Sequence, residues 1–193
     1  MKAQSIALVL ATVLVAPIAF AKKVVTAAPV VVEKTVTVGG AEMYPSKDII
    51  DNAVNSKDHT TLVTAVKAAG LVETLKGAGP FTVFAPTNAA FAKLPKGTVE
   101  SLLKPENKPT LSKILTYHVV AGNLTASDII AAIKAGKGKT SFKTVAGGML
   151  TAKMNGTNVV ITDEKGTSST VTTADVIQKN GVIHSVDTVV QPK

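Results

Sequence analysis

The sequence predicts an α+β fold. Apolar residues recur at helical spacing in short segments up to about residue 136, then alternate with a period of two from about residue 140 to 190. Helical patterns that come first and strands that cluster late are the order of an α+β domain, not the regular alternation that builds a parallel α/β sheet. One strand-like run, Phe81–Ala85, interrupts the helical part, and no long internal repeat is visible.

Each element has a local cause. Ser46 is placed to cap a helix through Val54, with Ile49, Ile50, Ala53 and Val54 as its apolar face. Asp58 is placed to cap a second, whose stripe is Leu62, Val63, Val66 and Ala69, with Gly70 as its stop. Leu71–Leu75 adds a further helical turn before Gly77. Gly79-Pro80 marks a turn, Phe81, Val83 and Ala85 alternate as a buried strand, and Pro86 ends it for want of an N–H. Thr87 then caps a short helix stopped by Pro95, and Gly97-Thr98 opens another that runs to Leu103. The stripe Leu111, Ile114 and Leu115 leads into Tyr117–Val120, whose β-formers read as an inner strand. Thr125 or Ser127 caps a helix carrying Ile129, Ile130 and Ile133 and ending at Gly136. Strands follow at Thr140–Val145, Met149–Met154, Thr157–Thr162, Ser168–Thr173 and Val182–Val190. Asn155-Gly156 signals a type I′ hairpin. Asp175–Gly181 reads as a connector, with Asn180-Gly181 supplying a left-handed turn.

Length and composition bound the function. The 193 residues suit one domain with flanking segments, and 46% apolar content is enough for a core without staples. Cysteine is absent, which excludes disulfides and thiolate chemistry. Residues 1–21 read as a secretory signal peptide: Lys2 gives a positive start, Ile6–Val15 is an apolar run of the right size, and Ala19-Phe20-Ala21 is a cleavage site. The run is too short for a membrane helix. The expected location is therefore outside the cytoplasm, periplasmic or secreted. Residues 22–45 read as a flexible N-terminal segment, since Pro29 and Gly39-Gly40 break its valine runs, and residues 46–192 form the domain.

The formal charge is +8, and all 21 basic residues are lysine. Specific phosphate and base recognition leans on the arginine fork, and base stacking on aromatic rings, which make up only 4% of the chain. Nucleic acid is thus a poor partner, and the excess lysine reads as a solvated surface with weak affinity for anionic polymers.

Catalytic constellations are not found. In His184-Ser185-Val186-Asp187 the histidine and serine point to opposite faces of a strand, so they form no nucleophile–base pair. His59, His118 and His184 are far apart in sequence with no metal-ligand spacing, and His59 reads as a solvated surface residue. Gly136-Lys137-Gly138-Lys139-Thr140 has a phosphate-loop ending but lacks the upstream glycine and follows a helix. The expectation is a non-enzyme without cofactor or metal.

Three stretches resemble a known family. Gly79–Phe91, Tyr117-His118-Val119-Val120, and Ala174-Asp175-Val176 with Asn180–Asp187 are similar, in order and spacing, to the first box, the Tyr-His motif and the second box of fasciclin domains. One position departs: the family usually carries Asp where this chain has Asn88. The resemblance implies a wedge of two small β-sheets with helices packed along one side. It also implies an adhesion or interaction domain for a matrix, cell-surface or protein partner. A carrier of an apolar small molecule, such as a carotenoid or lipid, is the alternative.

The resemblance makes Tyr117, His118, Asp175 and Val176 partner-binding candidates, because animal relatives have been linked to integrin recognition in these two regions. Each has a structural reading beside it. Tyr117 and His118 can fix packing on an inner strand, Asp175 can cap the connector and Val176 can enter the core. From the cleavage site, the exported protein is expected to begin at Lys22. N-terminal sequencing of the exported form checks this, and retention of residues 1–21 would replace the secretory reading by an anchor.

Overall fold

The structure is a computed structural model, and it describes residues 34–193. The expected signal peptide and most of the expected N-terminal segment lie outside them. The strands are β1 (Val36–Val38), β2 (Ala41–Met43), β3 (Phe81–Pro86), β4 (Val119–Ala121), β5 (Lys139–Lys143), β6 (Met149–Asn155), β7 (Asn158–Thr162), β8 (Ser168–Gln178) and β9 (Gly181–Val186). The helices are α1 (Ile49–Ala53), α2 (Thr60–Ala69), α3 (Val72–Lys76), α4 (Asn88–Ala92), α5 (Thr98–Leu102), α6 (Lys108–Tyr117) and α7 (Ala126–Ala135). Apart from the β1–β2 hairpin, the strands run in the order β4-β3-β9-β8-β7-β6-β5. The α+β class read from the sequence holds.

The long strand β8 serves two half-sheets. Ser168–Thr170 pair with β7 and the rest, from Val171 to Gln178, pairs with β9, with register shifts between Val171 and Thr173 and between Thr173 and Val176. A bulged strand bends, and here the bend carries the chain from one half-sheet to the other. The outermost strands approach each other at an antiparallel bridge between Val120 and Thr144.

Two apolar clusters follow. On one side of β3 and β9, Val83, Ala85 and Ile183 pack with Ile49 of α1, Leu62 and Val66 of α2 and Leu115 of α6. On the other side, Phe84 and Val186 pack with Ile129 and Ile133 of α7 and with Leu150 and Ile161 of the second half-sheet. Successive β3 residues therefore feed opposite clusters, as the two-residue strand period requires.

The pairing of β3 with β9 is parallel, with Phe81 beside Gly181 and Pro86 beside Val186. Gly181 is needed for close approach: a Cβ there would overlap the Phe81 carbonyl. The left-handed turn expected at Asn180-Gly181 does not form, since neither residue has positive φ. Asn180 instead works through its side chain. Its Oδ1 accepts the Ile49 N–H (3.1 Å) at the start of α1, and its Nδ2 donates to the carbonyls of Leu75 (2.7 Å) and Gly77 (3.2 Å) at the end of α3. One amide thus satisfies two helix ends.

Several local expectations shift. Residues 36–43, expected in a flexible segment, form the β1–β2 hairpin, because Gly39 and Gly40 turn the chain at positive φ and Val38 and Met43 reach the core. Asp48, not Ser46, caps α1 through the Asp51 N–H (2.8 Å). Asp58 does not cap α2; Asn88 does so from α4, its Oδ1 accepting the Thr61 N–H (3.0 Å) while its Nδ2 donates to the Lys57 carbonyl (2.8 Å). A carboxylate could not donate the second bond, which gives the Asn at this position its own use. The β6–β7 turn is Gly156-Thr157, one residue later than expected, with Asn155 opposite Asn158. Gly156 has φ +60 and Thr157 has no positive φ, the pattern of type II′ rather than I′. The segment expected as a connector, Asp175–Gly181, is largely the second half of β8, and β9 ends at Val186.

Because Met43 is only 3% exposed and packs in the helical cluster, Met43→Ala is expected to lower stability by about 2–5 kcal/mol. Chemical denaturation measures this; an unchanged midpoint would detach the hairpin from the domain.

Candidate functional site

Tyr117 and His118 are not on a strand. Tyr117 is the last residue of α6, and His118 is its cap, before β4 starts at Val119. The β-forming residues there are overridden by the helix that precedes them. Tyr117 has no exposed surface and His118 is 2% exposed. The Tyr117 hydroxyl donates to the Met149 carbonyl (2.7 Å) and accepts the Glu164 N–H (3.3 Å), so it ties α6 to β6 and to the turn after β7. Burial raises its pKa. The His118 ring spans two segments: Nδ1–H donates to the Ile114 carbonyl (2.9 Å), and Nε2 accepts the Val190 N–H (3.2 Å). That pattern requires neutral imidazole with its proton on Nδ1.

Asp175 and Val176 sit at the second bulge of β8. Val176 is 1% exposed, inside the helical cluster, while the next residue, Ile177, is 49% exposed. Asp175 is half-buried with φ +57, a left-handed backbone that Asp tolerates better than most residues. Its Oδ1 accepts the Ala126 N–H (2.6 Å) in the first turn of α7, where the helix dipole favours an anion. Its own N–H donates to Nδ1 of His184 (3.3 Å), and His184 Nε2–H donates to the Leu124 carbonyl (2.8 Å). The His184 ring also stacks on Phe84, with centroids 5.7 Å apart. The four sequence candidates therefore fall into two separate places. Three of them are buried, and Asp175 alone reaches the surface. The exposed neighbour Ile177 follows from strand alternation once Asp175–Gln178 is known to be strand.

His59, expected on the surface, is 3% exposed. Its ring lies between Ser56 Oγ (3.0 Å, at Nδ1) and Ser185 Oγ (3.3 Å, at Nε2). The fold thus makes a serine–histidine contact that sequence order hides. The group orienting the ring is a hydroxyl, not the carboxylate of a catalytic triad, and Ser185 is 2% exposed. His59, Ser56 and His118 border an apolar cavity of about 40 Å³. Pockets that take drug-sized molecules run to roughly 300–1,000 Å³. The cavity is far too small for a carotenoid or lipid. Among the described residues, no group of three or more His, Asp or Glu could hold a metal ion.

The comparisons with known proteins agree with this architecture. The model of the fasciclin domain matches residues 57–192. The chain belongs to the fasciclin-domain family. It is 49% identical to the protein sll1483 of Synechocystis over 160 residues, 83% of this chain and 82% of that one. It is 34% identical over 148 residues to the transforming growth factor-beta-induced protein ig-h3 of Sus scrofa, which covers 77% of this chain but 20% of the pig protein. A solved fasciclin-domain pair from the insect cell adhesion molecule Fasciclin I superposes with a TM-score of 0.66 at 15% identity, covering 82% of this chain and 58% of that one. That likeness concerns the fold.

All three histidine pKa values are lowered, first by burial, with His118 brought from 6.5 to about 4. A lowered folded pKa means that the unfolded chain binds more protons between the two values, so stability rises with pH in that window. The contribution is complete above about pH 6.5 and is lost as pH falls, for His118 down to about 4. For that residue alone it amounts to roughly 3 kcal/mol. Denaturation at pH 7 and pH 4.5 is expected to show a marked loss at the lower pH. His118→Ala is expected to cost about 1–3 kcal/mol at pH 7 and to flatten the dependence. A pH-independent midpoint would contradict the neutral braces.

Proposed function

We propose that this chain is an exported, non-catalytic adhesion or interaction domain that binds a matrix, cell-surface or protein partner. Membership of the fasciclin family supports the binding class. The observation that carries the proposal to a place on the molecule is the β8 bulge. There Asp175 and Ile177 stand on a strand fixed from both sides, by β9 and by the start of α7. Asp175 uses Oδ1 for the Ala126 N–H, and Oδ2 takes no protein donor among the described residues. That oxygen can meet a cation or a basic side chain of a partner, and Ile177 supplies apolar area beside it. Val176 supports this surface from within, while Tyr117 and His118 are buried elsewhere as braces of α6. Among the described residues no helix is long and apolar enough to cross a membrane.

Asp175→Asn and Ile177→Ser test the proposal. Asn tolerates the left-handed backbone and keeps the bond to α7, so its structural cost is expected to stay within about 1 kcal/mol. Adhesion of the exported protein to its native cell envelope is expected to weaken severalfold in each variant while thermal stability is held. Unchanged adhesion in both would move the contact surface elsewhere.

A further inference from the structure

The outer face of the second half-sheet has an unusual chemistry. Residues directly opposite one another across a ladder share a face. The registers pair Lys139 with Lys153, Ser141 with Thr151 and Lys143 with Met149 across β5 and β6. They continue from Thr151 to Thr162 and from Lys153 to Val160 across β6 and β7, then to Ser168 and Thr170 on β8. The opposite face of the same strands is the buried one, carrying Leu150, Ala152 and Ile161. The outer face is therefore mostly hydroxyls and lysines, with Met149 exposed at one edge and Val160 buried among them, and it carries no acid.

Among the described residues the lysines on it form no ion pair. The ion pairs among the described residues are Lys76 with Asp48 and Asp51, and Lys93 with Asp187, all outside this face. Acids at the edges of the face are engaged elsewhere: Asp163 with the N–H groups of Lys165, Thr167 and Gln191, Glu164 with that of Met149, and Asp187 with that of Thr170 and with Lys93. Lys139 and Lys153 stand directly opposite each other, an arrangement that costs stability unless an anion lies between or over them. Lys139, Lys143 and Lys153 are all exposed.

We infer that this face binds an acidic polysaccharide. Such a polymer carries carboxylates or sulfates at intervals along a chain otherwise lined with hydroxyls. The face offers the complement: point-charge ammonium groups flanking rows of Ser and Thr hydroxyls that both donate and accept. Two hydroxyl pairs, Ser141 with Thr151 (3.1 Å) and Thr162 with Ser168 (3.1 Å), bridge neighbouring strands and hold these rows in register. Neighbouring strands lie about 4.8 Å apart, close to the length of one sugar residue, so an extended chain laid across them meets one row per residue. The face carries no aromatic ring or arginine, which disfavours single-stranded nucleic acid. This surface is distinct from the Asp175–Ile177 surface, and its binding does not depend on that one.

The test is retention and affinity of the exported protein on immobilised polygalacturonate and on heparin, across a salt series. The wild type is expected to bind both, and to release with rising salt. The triple variant Lys139→Gln, Lys143→Gln, Lys153→Gln is expected to lose about tenfold or more in affinity, by analogy with the counterion arithmetic of other polyanions. A control triple, Lys67→Gln, Lys96→Gln, Lys104→Gln, removes the same charge from exposed positions outside this face, one in α2 and two in turns, and is expected to change affinity less than about twofold. Equal losses in both triples would reduce the effect to net charge and overturn the inference. So would binding to neither polysaccharide, or a preference for phosphatidylglycerol vesicles or single-stranded RNA over both. Since all six lysines are exposed, unchanged thermal unfolding confirms that the variants compare like with like. The Asp175→Asn variant is expected to keep full polysaccharide affinity, which separates this surface from the other.

Discussion

The parallel contact between β3 and β9 is the constraint on which the rest of the molecule depends. It stands between the two apolar clusters and supplies side chains to both. Its close end is set by Gly181 against the Phe81 carbonyl, where no side chain fits. Immediately beside that contact, the Asn180 amide holds the start of α1 and the end of α3. Parallel strands need a long crossover, and here the crossover contains four helices and the five strands β4 to β8. The pairing is therefore made late in the chain by residues one hundred positions apart, and the surrounding helix ends must be satisfied for it to form.

Buried polar side chains do that work. Asn52 binds both backbone groups of Tyr44 and also the side chain of Gln178, joining the hairpin region to β8. His59 links the entry to α2 with Ser185 of β9, His118 links α6 to the C-terminal segment at Val190, and His184 links the β8 bulge to the loop before α7. No buried side-chain nitrogen or oxygen among the described residues is without a partner. Because a buried polar atom without a partner costs more than a bond gains, such a network favours one arrangement of helices on the sheet over its neighbours. With no disulfide in the chain, this specificity comes from hydrogen bonding and packing.

Much of this was legible in the sequence. The strand at Phe81–Pro86, the Thr87 cap after it and the helix carrying Ile129 and Ile133 follow from local spacing alone. What escaped local reading depends on partners distant in sequence. His59 looks like a solvated residue in a first turn until Ser185 is placed beside it, 126 residues away. Tyr117-His118 has the composition of a strand, but α6 extends over it because the imidazole finds Ile114 one turn back. Asp175–Gln178 reads as a connector because its bulges break the alternation, and only the pairing with β9 restores it as a strand. The candidate residues were found by resemblance, and their division into one surface carboxylate and three buried supports required the fold.

The histidines are neutral hydrogen-bond braces of the β3–β9 framework, not titrating surface groups. Nitrogen-15 NMR of the imidazole rings tests it most directly, since each tautomer has its own shifts. At pH 7 His118 is expected to be protonated on Nδ1 and His184 on Nε2, with His118 titrating near 4 and His184 below its ordinary 6.5. Rings that exchange between tautomers, or that titrate near 6.5 in the folded protein, would contradict it.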